Sequence, residues 1–191
     1  MTPREMLLGH LEGLGLDPSA VADLLACFHP RAIRRRTVFL RAGEVDARLG
    51  FVASGLFAME TVHEDGRLFI KDFLGEGAFL LGTFEPGREN LVTFRAVRDA
   101  QVLEARYADV LVLQEKHPDL GALARRGVER RYQDLCARLE RLAGQEAASR
   151  YRAFRDDFRS VERDIPLNLV AAYLNITPTQ LSRLRRSLDP G

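Results

Sequence analysis

The spacing of hydrophobic positions changes twice along the chain. Apolar residues recur at helical spacing over residues 3–28, with Pro18 opening a second stretch. From Ala32 to Glu104 the pattern changes to short β-rich runs separated by turn signals such as Asp65-Gly66. From Ala108 onward the helical spacing of 3.6 residues returns. The pattern therefore predicts an α+β protein whose first half is β-rich and whose second half is helical.

The β-rich part consists of many short strands at close spacing. The candidate strands are "TVFLRAG", "RLGFVASGLFAMETV", "RLFIKDFLG", "NLVTFRAV" and "AQVLEARY". Such a series is typical of an antiparallel sandwich or roll. The run "TVHEDGRLFIKDF" predicts a hairpin with Asp65-Gly66 at its tip.

After a short helix that stops near Pro118, a long charged helix is predicted up to Gly144. Its apolar residues are spaced by 4, 3, 4 and 3 positions, the narrow seam of a coiled coil: they are Val128, Tyr132, Leu135, Leu139 and Leu142. The other faces are mostly Arg, Glu, Asp and Gln. This arrangement favours pairing with one partner helix in a homodimer, and an ordinary surface helix is the alternative.

A further helix over "QEAASRYRAFRDDFRSV" is followed by two short helical patterns in "IPLNLVAAYLNITPTQLSRLRRSL". Pro166 suits the start of the first helix, and Asn175 suits a left-handed turn residue. Thr177 is a good N-cap for the second helix, with Pro178 in its first position. Together these signals predict a helix-turn-helix.

The second helix of this motif separates its side chains onto two faces. Leu181, Leu184 and Leu188 point inward by their spacing. The outward positions, with the cap, are the candidate DNA contacts: Thr177, Thr179, Gln180, Ser182, Arg183, Arg185 and Arg186. Gln can pair with adenine and Arg with guanine, whereas later arginines suit phosphates. The alternative is a helical hairpin with a solvated basic face, in which Gln180 only completes a capping box with Thr177.

Composition narrows the function classes. No apolar run approaches the ~20 residues of a membrane span, and the N-terminus is a poor signal peptide, so a cytoplasmic protein is expected. Cys27 and Cys136 are expected to be reduced, and four cysteines would be wanted for a standard iron–sulfur cluster. The four histidines lack metal-ligand spacing. With no nucleophile–base–orienter set, we expect no enzyme, no metal and no cofactor.

The order of parts and the segment "IPLNLVAAYLNITPTQLSRLRR" resemble the Crp/Fnr superfamily of bacterial transcription regulators. "FLRAGEVDARLGFVASGLFAM", with Gly43-Glu44 and Gly55 at its turns, resembles the early pattern of that family's β-roll. The resemblance implies a jelly-roll-like β-roll (a double-stranded β-helix), a long dimerisation helix and a C-terminal helix-turn-helix. It places the family's base-contacting positions on Thr179, Gln180 and Arg183. Because the sequence ends at Gly191, a full C-terminal wing is not expected.

Members that bind cyclic AMP hold its phosphate with a Gly-Glu pair, an arginine and a neighbouring serine or threonine. The matching stretch here is "GEGAFLLGTFEPGRENLVTFRAV", in which Asn90 and Leu91 stand where the arginine and the hydroxyl residue would be. Arg88 lies two positions earlier. The departure argues against cyclic AMP as effector. The candidate pocket for another small molecule comprises Leu80, Gly82, Arg88, Asn90 and Leu91.

These observations predict a sensor region over residues 1–118, a dimerisation helix over 119–144 and a DNA-binding domain over 145–191. The predicted function is a homodimeric regulator that binds an inverted-repeat operator in double-stranded DNA, with RNA polymerase as a candidate further partner and an unidentified effector. The alternative is a ligand-binding β-roll module whose helical C-terminus contacts a protein.

Overall fold

The structure is a computed structural model that describes residues 1–188. Three helices and eight strands form the first part in the order α1 (Pro3–Glu12), α2 (Pro18–Cys27), β1 (His29–Ile33), β2 (Val38–Leu40), β3 (Arg48–Ser54), β4 (Phe57–Val62), β5 (Leu68–Leu74), β6 (Phe79–Leu81), β7 (Thr93–Ala96), β8 (Ala100–Arg106) and α3 (Tyr107–Lys116). The helical part follows as α4 (Pro118–Gly144), α5 (Ala147–Asp157), a 3-10 turn (Glu162–Asp164), α6 (Leu167–Leu174) and α7 (Pro178–Leu188).

Two antiparallel four-stranded sheets form the β-roll. One sheet has the order β1-β8-β3-β6 and the other β2-β7-β4-β5. The space between the sheets is filled by apolar side chains such as Phe39, Phe57, Val52 and Phe94. The predicted fold class, a β-roll followed by helices, is confirmed.

The N-terminal region forms two helices and not one continuous helix. α1 ends at Glu12, Gly15 adopts a left-handed φ of 69°, and Asp17 caps α2 through the Ser19 N–H. The break lets both helices pack against the sheet that contains β3 and β8, together with α3.

The sequence pattern did not predict two of the strands, β1 and β6. Both lie at the edges of the same sheet, and β1 has a largely exposed burial pattern. Pro30 is tolerated in β1 because an edge strand needs fewer ladder donors. β6 is short, and only its three residues pair with β3.

The helical end docks directly on the β-roll. Phe73 of β5 packs edge-on against Phe158 with ring centroids 5.5 Å apart and lies 5.5 Å from Tyr173 of α6. Phe154 of α5 completes this aromatic cluster, 5.4 Å from Tyr173. Strand β5 and helix α6 therefore share one apolar core. The expectation about a wing falls on residues 189–191, outside the described residues.

Candidate DNA-binding surface

The turn between α6 and α7 fixes the geometry of the two-helix motif. Asn175 ends α6 with φ 52° and ψ 48°, the left-handed conformation that its sequence position predicted. The Ile176 N–H donates to the Ala171 carbonyl at 3.0 Å. Ile176 itself is half-buried against the core of the helical end. The predicted helix-turn-helix is present.

Helix α7 presents a polar face to solvent. Leu181 is buried, and Leu184 and Leu188 are half-buried against α5 and α6. The outward side chains are all exposed: Thr177, Thr179, Gln180, Ser182, Arg183, Arg185 and Arg186. The apolar face holds the helix in place, so the exposed face is free to contact another molecule.

A capping box closes the start of α7. The Gln180 N–H donates to Thr177 Oγ1 at 3.1 Å, and the Thr177 N–H donates to Gln180 Oε1 at 2.8 Å. The carboxamide oxygen of Gln180 is therefore occupied within the chain. Its amide nitrogen has no hydrogen-bond partner in the part of the chain that the structure describes. Bidentate pairing of Gln180 with N6 and N7 of an adenine needs the carboxamide oxygen, so the cap bond would have to open.

A groove runs between the start of α6 and the flank of α7. Its walls are Leu167, Pro178, Leu181, Ser182, Arg185 and Arg186. Two guanidinium groups and one hydroxyl face the groove beside the N-terminus of α6, where the helix dipole favours anions. The groove is chemically suited to a phosphate backbone.

Tyr151 of α5 lies in the same apolar cluster as Leu181 of α7. The Tyr151 hydroxyl donates to Glu162 Oε1 at 3.4 Å. Burial raises the pKa of Tyr151, and Glu162 adds to that rise while Arg185 opposes it. Arg185 thus lies within electrostatic reach of this tyrosine, at the edge of the groove.

Arg138 of α4 ties the helix-turn-helix to the β-roll, and it is only 7% exposed. Its Nη2 donates to the Ile70 carbonyl at 2.6 Å and to the Tyr173 carbonyl at 2.8 Å, and its Nη1 donates to the Lys71 carbonyl. The guanidinium carbon also lies 3.7 Å from the centre of the Tyr173 ring, a cation–π contact. One side chain therefore joins α4, β5 and α6.

Sequence reasoning missed this residue. In the sequence pattern Arg138 belongs to the charged face of α4, where an arginine side chain is normally exposed to solvent. Burial lowers the pKa of its guanidinium, and Tyr173 and Asp72 oppose that shift. Arg138 is buried because α4 docks against β5 and α6. The helical periodicity of α4 alone does not predict this docking.

Arg131 adds a contact to the same junction, and Arg150 joins α5 to α6. Arg131 of α4 pairs with Asp72 of β5 at 2.7 Å. Burial raises the pKa of Asp72, and the Arg131 charge opposes the rise. Arg150 of α5 donates to the Leu174 carbonyl from Nε at 3.2 Å and from Nη2 at 3.1 Å. A cation at the C-terminus of α6 satisfies carbonyls that the helix leaves free.

The predicted dimer residues divide into two groups. Val128, Tyr132 and Leu139 are solvent-exposed on α4, with Tyr132 69% and Leu139 64% exposed. Leu135 packs against the β-roll core of its own chain. Leu142 faces a small cavity that Arg150 and Phe154 also line. The exposed three form an apolar strip on an otherwise charged helix.

The candidate ligand pocket in the β-roll is closed around Asn90. Its backbone N–H donates to the Glu44 carbonyl at 3.0 Å, and its Nδ2 donates to the Asp46 carbonyl at 3.1 Å. A Cβ added at Gly82 would lie 2.2 Å from Asn90 Oδ1, so this glycine admits the close approach. Asn90 therefore braces two loops against each other.

Three other predicted pocket residues lie in different environments. Leu80 is fully buried in the core between the sheets. Leu91 is 72% exposed. Arg88 is exposed and pairs with Glu85 at 3.2 Å. The structure thus does not gather Leu80, Arg88 and Leu91 around one cavity.

Within residues 1–188, no three His, Cys, Asp or Glu side chains are grouped so that they could hold a metal ion. No helix in the same range is long and apolar enough to cross a membrane. Both cysteines are unpaired.

Part of the chain is similar in sequence to a curated transcriptional regulator. No family model matches the chain. The cAMP-activated global transcriptional regulator CRP of Salmonella typhimurium is 28% identical over 106 residues, which are 54% of this chain and 50% of the relative. The chain thus matches about half the length of this curated relative.

Solved structures extend the match over most of the chain. FixK2 from Bradyrhizobium japonicum superposes with a TM-score of 0.76 at 15% identity and covers 84% of each chain. The c-di-GMP responsive global regulator CLP from Xanthomonas campestris superposes with a TM-score of 0.72 at 20% identity, covering 90% of this chain and 91% of its own. This chain therefore has the fold of these two proteins, with a β-roll, a long helix and a helix-turn-helix, and about half of its sequence is similar to CRP.

Proposed function

We propose that the protein is a homodimeric transcription regulator that binds an inverted-repeat operator in double-stranded DNA. The observation that carries the proposal is the exposed polar face of α7, which a buried Leu181 and a capped N-terminus hold rigidly. In helix-turn-helix proteins the N-terminal residues of the second helix contact base edges in the major groove. Thr179, Gln180 and Arg183 occupy those positions, and they are exposed.

The outward residues divide by chemistry into two roles. Arg183 can make a bidentate pair with guanine, and the free amide nitrogen of Gln180 can donate to a base acceptor. Arg185, Arg186 and Ser182 line the groove beside α6 and suit phosphates, which position the protein without specifying sequence. Thr177 retains its capping role.

The dimer is proposed to form along α4. Val128, Tyr132 and Leu139 would pack against the same residues of a second copy, as a two-fold interface requires. Two α7 helices would then enter major grooves about one helical turn apart. The proposed division is a sensor region over 1–118, a dimerisation helix over 119–144 and a DNA-binding domain over 145–191, with RNA polymerase as a further partner.

The effector of this regulator is proposed to be something other than cyclic AMP, or none. The position that would hold the phosphate-binding arginine is Asn90, which braces neighbouring loops. Arg88 is engaged with Glu85 at the surface. A buried phosphodiester would lack its guanidinium partner.

Selection from a random duplex pool, followed by fluorescence anisotropy over a salt series, tests the proposal. We expect an enriched inverted repeat, with affinity that falls steeply with salt because phosphate contacts release counterions and that does not respond to cyclic AMP. Binding that requires cyclic AMP would contradict our interpretation of Asn90. Failure to bind duplex DNA with or without cyclic AMP would favour a helical end that contacts a protein.

Separate substitutions on α7 should distinguish base contact from phosphate contact. We expect Arg183→Ala to lower affinity for the selected operator by about 1–3 kcal/mol and to relax base preference at one position. Arg185→Ala should weaken binding to selected and scrambled duplexes alike and reduce the salt slope by about one unit. Anisotropy titrations on both duplexes measure these quantities. If Arg183→Ala lowers the affinity for the selected and the scrambled duplex equally, Arg183 does not contact a base specifically.

A further inference from the structure

Helices α1 and α7 both begin with a capping box, but the two boxes differ in one residue. At α1 the Thr2 N–H donates to Glu5 Oε2 at 2.7 Å, and the Glu5 N–H donates to Thr2 Oγ1 at 3.2 Å. At α7 the same two bonds join Thr177 and Gln180. The helix dipole also favours a carboxylate in the first turn, so capping alone favours glutamate over glutamine. The two boxes are therefore distinguished by the free end of the Gln180 side chain.

The free end of Gln180 can donate hydrogen bonds but cannot accept them. Because the Thr177 N–H is a donor, it must face the carboxamide oxygen of Gln180, at 2.8 Å. The atom left over is Nε2, which carries two N–H groups and no acceptor. It meets no hydrogen-bond acceptor of the described chain, and Gln180 is exposed. In the α1 box the corresponding free atom is a carboxylate oxygen of Glu5, which can only accept.

The cap also fixes where these two donors lie. Both bonds of the box hold the side chain of Gln180 against the start of α7. A side chain that is ordered before binding loses less rotamer entropy when it binds. Opening the box would leave the Thr177 N–H without its partner at the helix N-terminus. The free energy therefore favours a bound state in which the oxygen stays on the cap and the amide N–H groups face the DNA.

The four bases fall into two classes for such a donor in the major groove. Guanine and thymine each present a keto oxygen, O6 or O4, which accepts a hydrogen bond. Cytosine and adenine present an amino group, N4 or N6, which donates one. Guanine adds the N7 acceptor beside O6, so both N–H groups of one amide find partners there. A donor-only side chain thus favours keto bases, with guanine first.

The neighbouring exposed side chain has the same chemistry. Arg183 lies three positions after Gln180, so the two residues are neighbours on one face of α7. Arg183 is exposed, and its guanidinium group carries donors only. Two donor-only side chains on one face suit two keto bases in the same half-site.

We propose that Gln180 is a specificity-determining residue that selects a keto base, guanine before thymine, at one position of each operator half-site. The inference rests on the proposed function and adds the chemical class of the base that this side chain contacts. An unconstrained glutamine pairs with adenine through its oxygen and its nitrogen together. The capping box removes that option, and the amino groups of adenine and cytosine then oppose the amide N–H groups.

The variant Gln180→Glu tests this by turning the free atom from a donor into an acceptor. One carboxylate oxygen can still accept the Thr177 N–H, as Glu5 does for Thr2 at α1, so the melting temperature should not fall. Selection from a random duplex pool is carried out with both proteins. We expect the wild type to enrich a keto base and the variant an amino base, cytosine above all, at the same single position.

Anisotropy on two duplexes that differ only at that position measures the preference. The wild type should bind the guanine duplex roughly tenfold more tightly than the cytosine duplex, and Gln180→Glu should reverse the order. The added negative charge weakens binding to both duplexes, so it cancels in their ratio. The matched control is Glu5→Gln, the opposite exchange in the capping box of α1, which packs against β3 and β8. This control should select the wild-type operator with the wild-type ratio.

Three results separate the inference from its alternatives. If Gln180→Glu selects the same operator as the wild type, Gln180 only caps α7 and the inference is overturned. If the wild type enriches adenine or cytosine at the position that the variant changes, the inference is overturned as well, because adenine would mean that the cap opens. If the wild type enriches no duplex sequence at all, the proposed function itself fails, and the inference fails with it.

Discussion

Replacing Arg138 with alanine is expected to lower the free energy of unfolding by about 3 kcal/mol. The substitution leaves the carbonyls of Ile70, Lys71 and Tyr173 without their donor. It also removes the cation–π contact with Tyr173. Because these contacts join α4 to both β5 and α6, the helix-turn-helix should lose its fixed orientation. Urea unfolding with circular dichroism measures the stability, and anisotropy measures the accompanying loss of operator affinity.

Arg130→Ala on the same helix is the matched control for this prediction. Arg130 is exposed, and alanine and arginine have similar helix propensities, so its stability should change by less than ~0.5 kcal/mol. Limited proteolysis adds a local readout, since α5 to α7 should be cut faster in Arg138→Ala. If the two variants unfold at the same urea concentration, Arg138 does not hold the junction.

Leu139→Lys should convert the protein from a dimer to a monomer and reduce operator affinity by about a hundredfold. A lysine at this exposed position of the proposed seam would place two like charges at the two-fold interface, where they repel each other. A monomer engages only one half-site, so the second set of contacts is lost. Sedimentation equilibrium gives the mass, and anisotropy on the selected operator gives the affinity.

Val112→Lys is the control for the dimer prediction. Val112 of α3 is 64% exposed, the same fraction as Leu139, but it lies outside the seam on α4. The Val112→Lys variant should keep the mass of the dimer and the affinity for the selected operator. A Leu139→Lys protein that remains dimeric at micromolar concentration would show that α4 is a surface helix, the alternative that its charged faces allow.

The helix-turn-helix was predictable because local chemistry determines it. A tight inter-helix turn needs a left-handed residue, and Asn175 occupies that position. Thr177 and Gln180 form the capping box that their three-residue spacing suggests. The same box limits how Gln180 can contact a base, because one carboxamide oxygen cannot serve the helix and an adenine together. Local signals thus indicated both the motif and the competing use of one of its residues.

The junction between the β-roll and the helical end was not predictable in this way. Phe73 looks like an ordinary strand residue and Arg138 like an ordinary surface residue when each is considered in its own element. Their roles arise because β5 and α6 meet across about 100 positions of sequence. Leu135 illustrates the same limit, since its seam position did not show that it packs on its own β-roll.

The β-roll was predictable as a class but not in all its strands. Alternating apolar positions and turn residues indicated most of the strands, whereas edge strands β1 and β6 lack that alternation. The predicted ligand-pocket positions follow only from the resemblance to the family's β-roll. In the structure the loop around Asn90 closes on Gly82, a consequence of tertiary packing that spacing alone does not reveal.

Hydroxyl-radical footprinting of the selected operator tests the central claim most directly. If α7 from each subunit enters a major groove, two protected stretches should appear, related by two-fold symmetry and centred about 10 base pairs apart. Arg183→Ala should weaken both stretches together. A single protected stretch, or uniform weak protection along the duplex, would contradict a dimer that places two helix-turn-helix motifs on an inverted repeat.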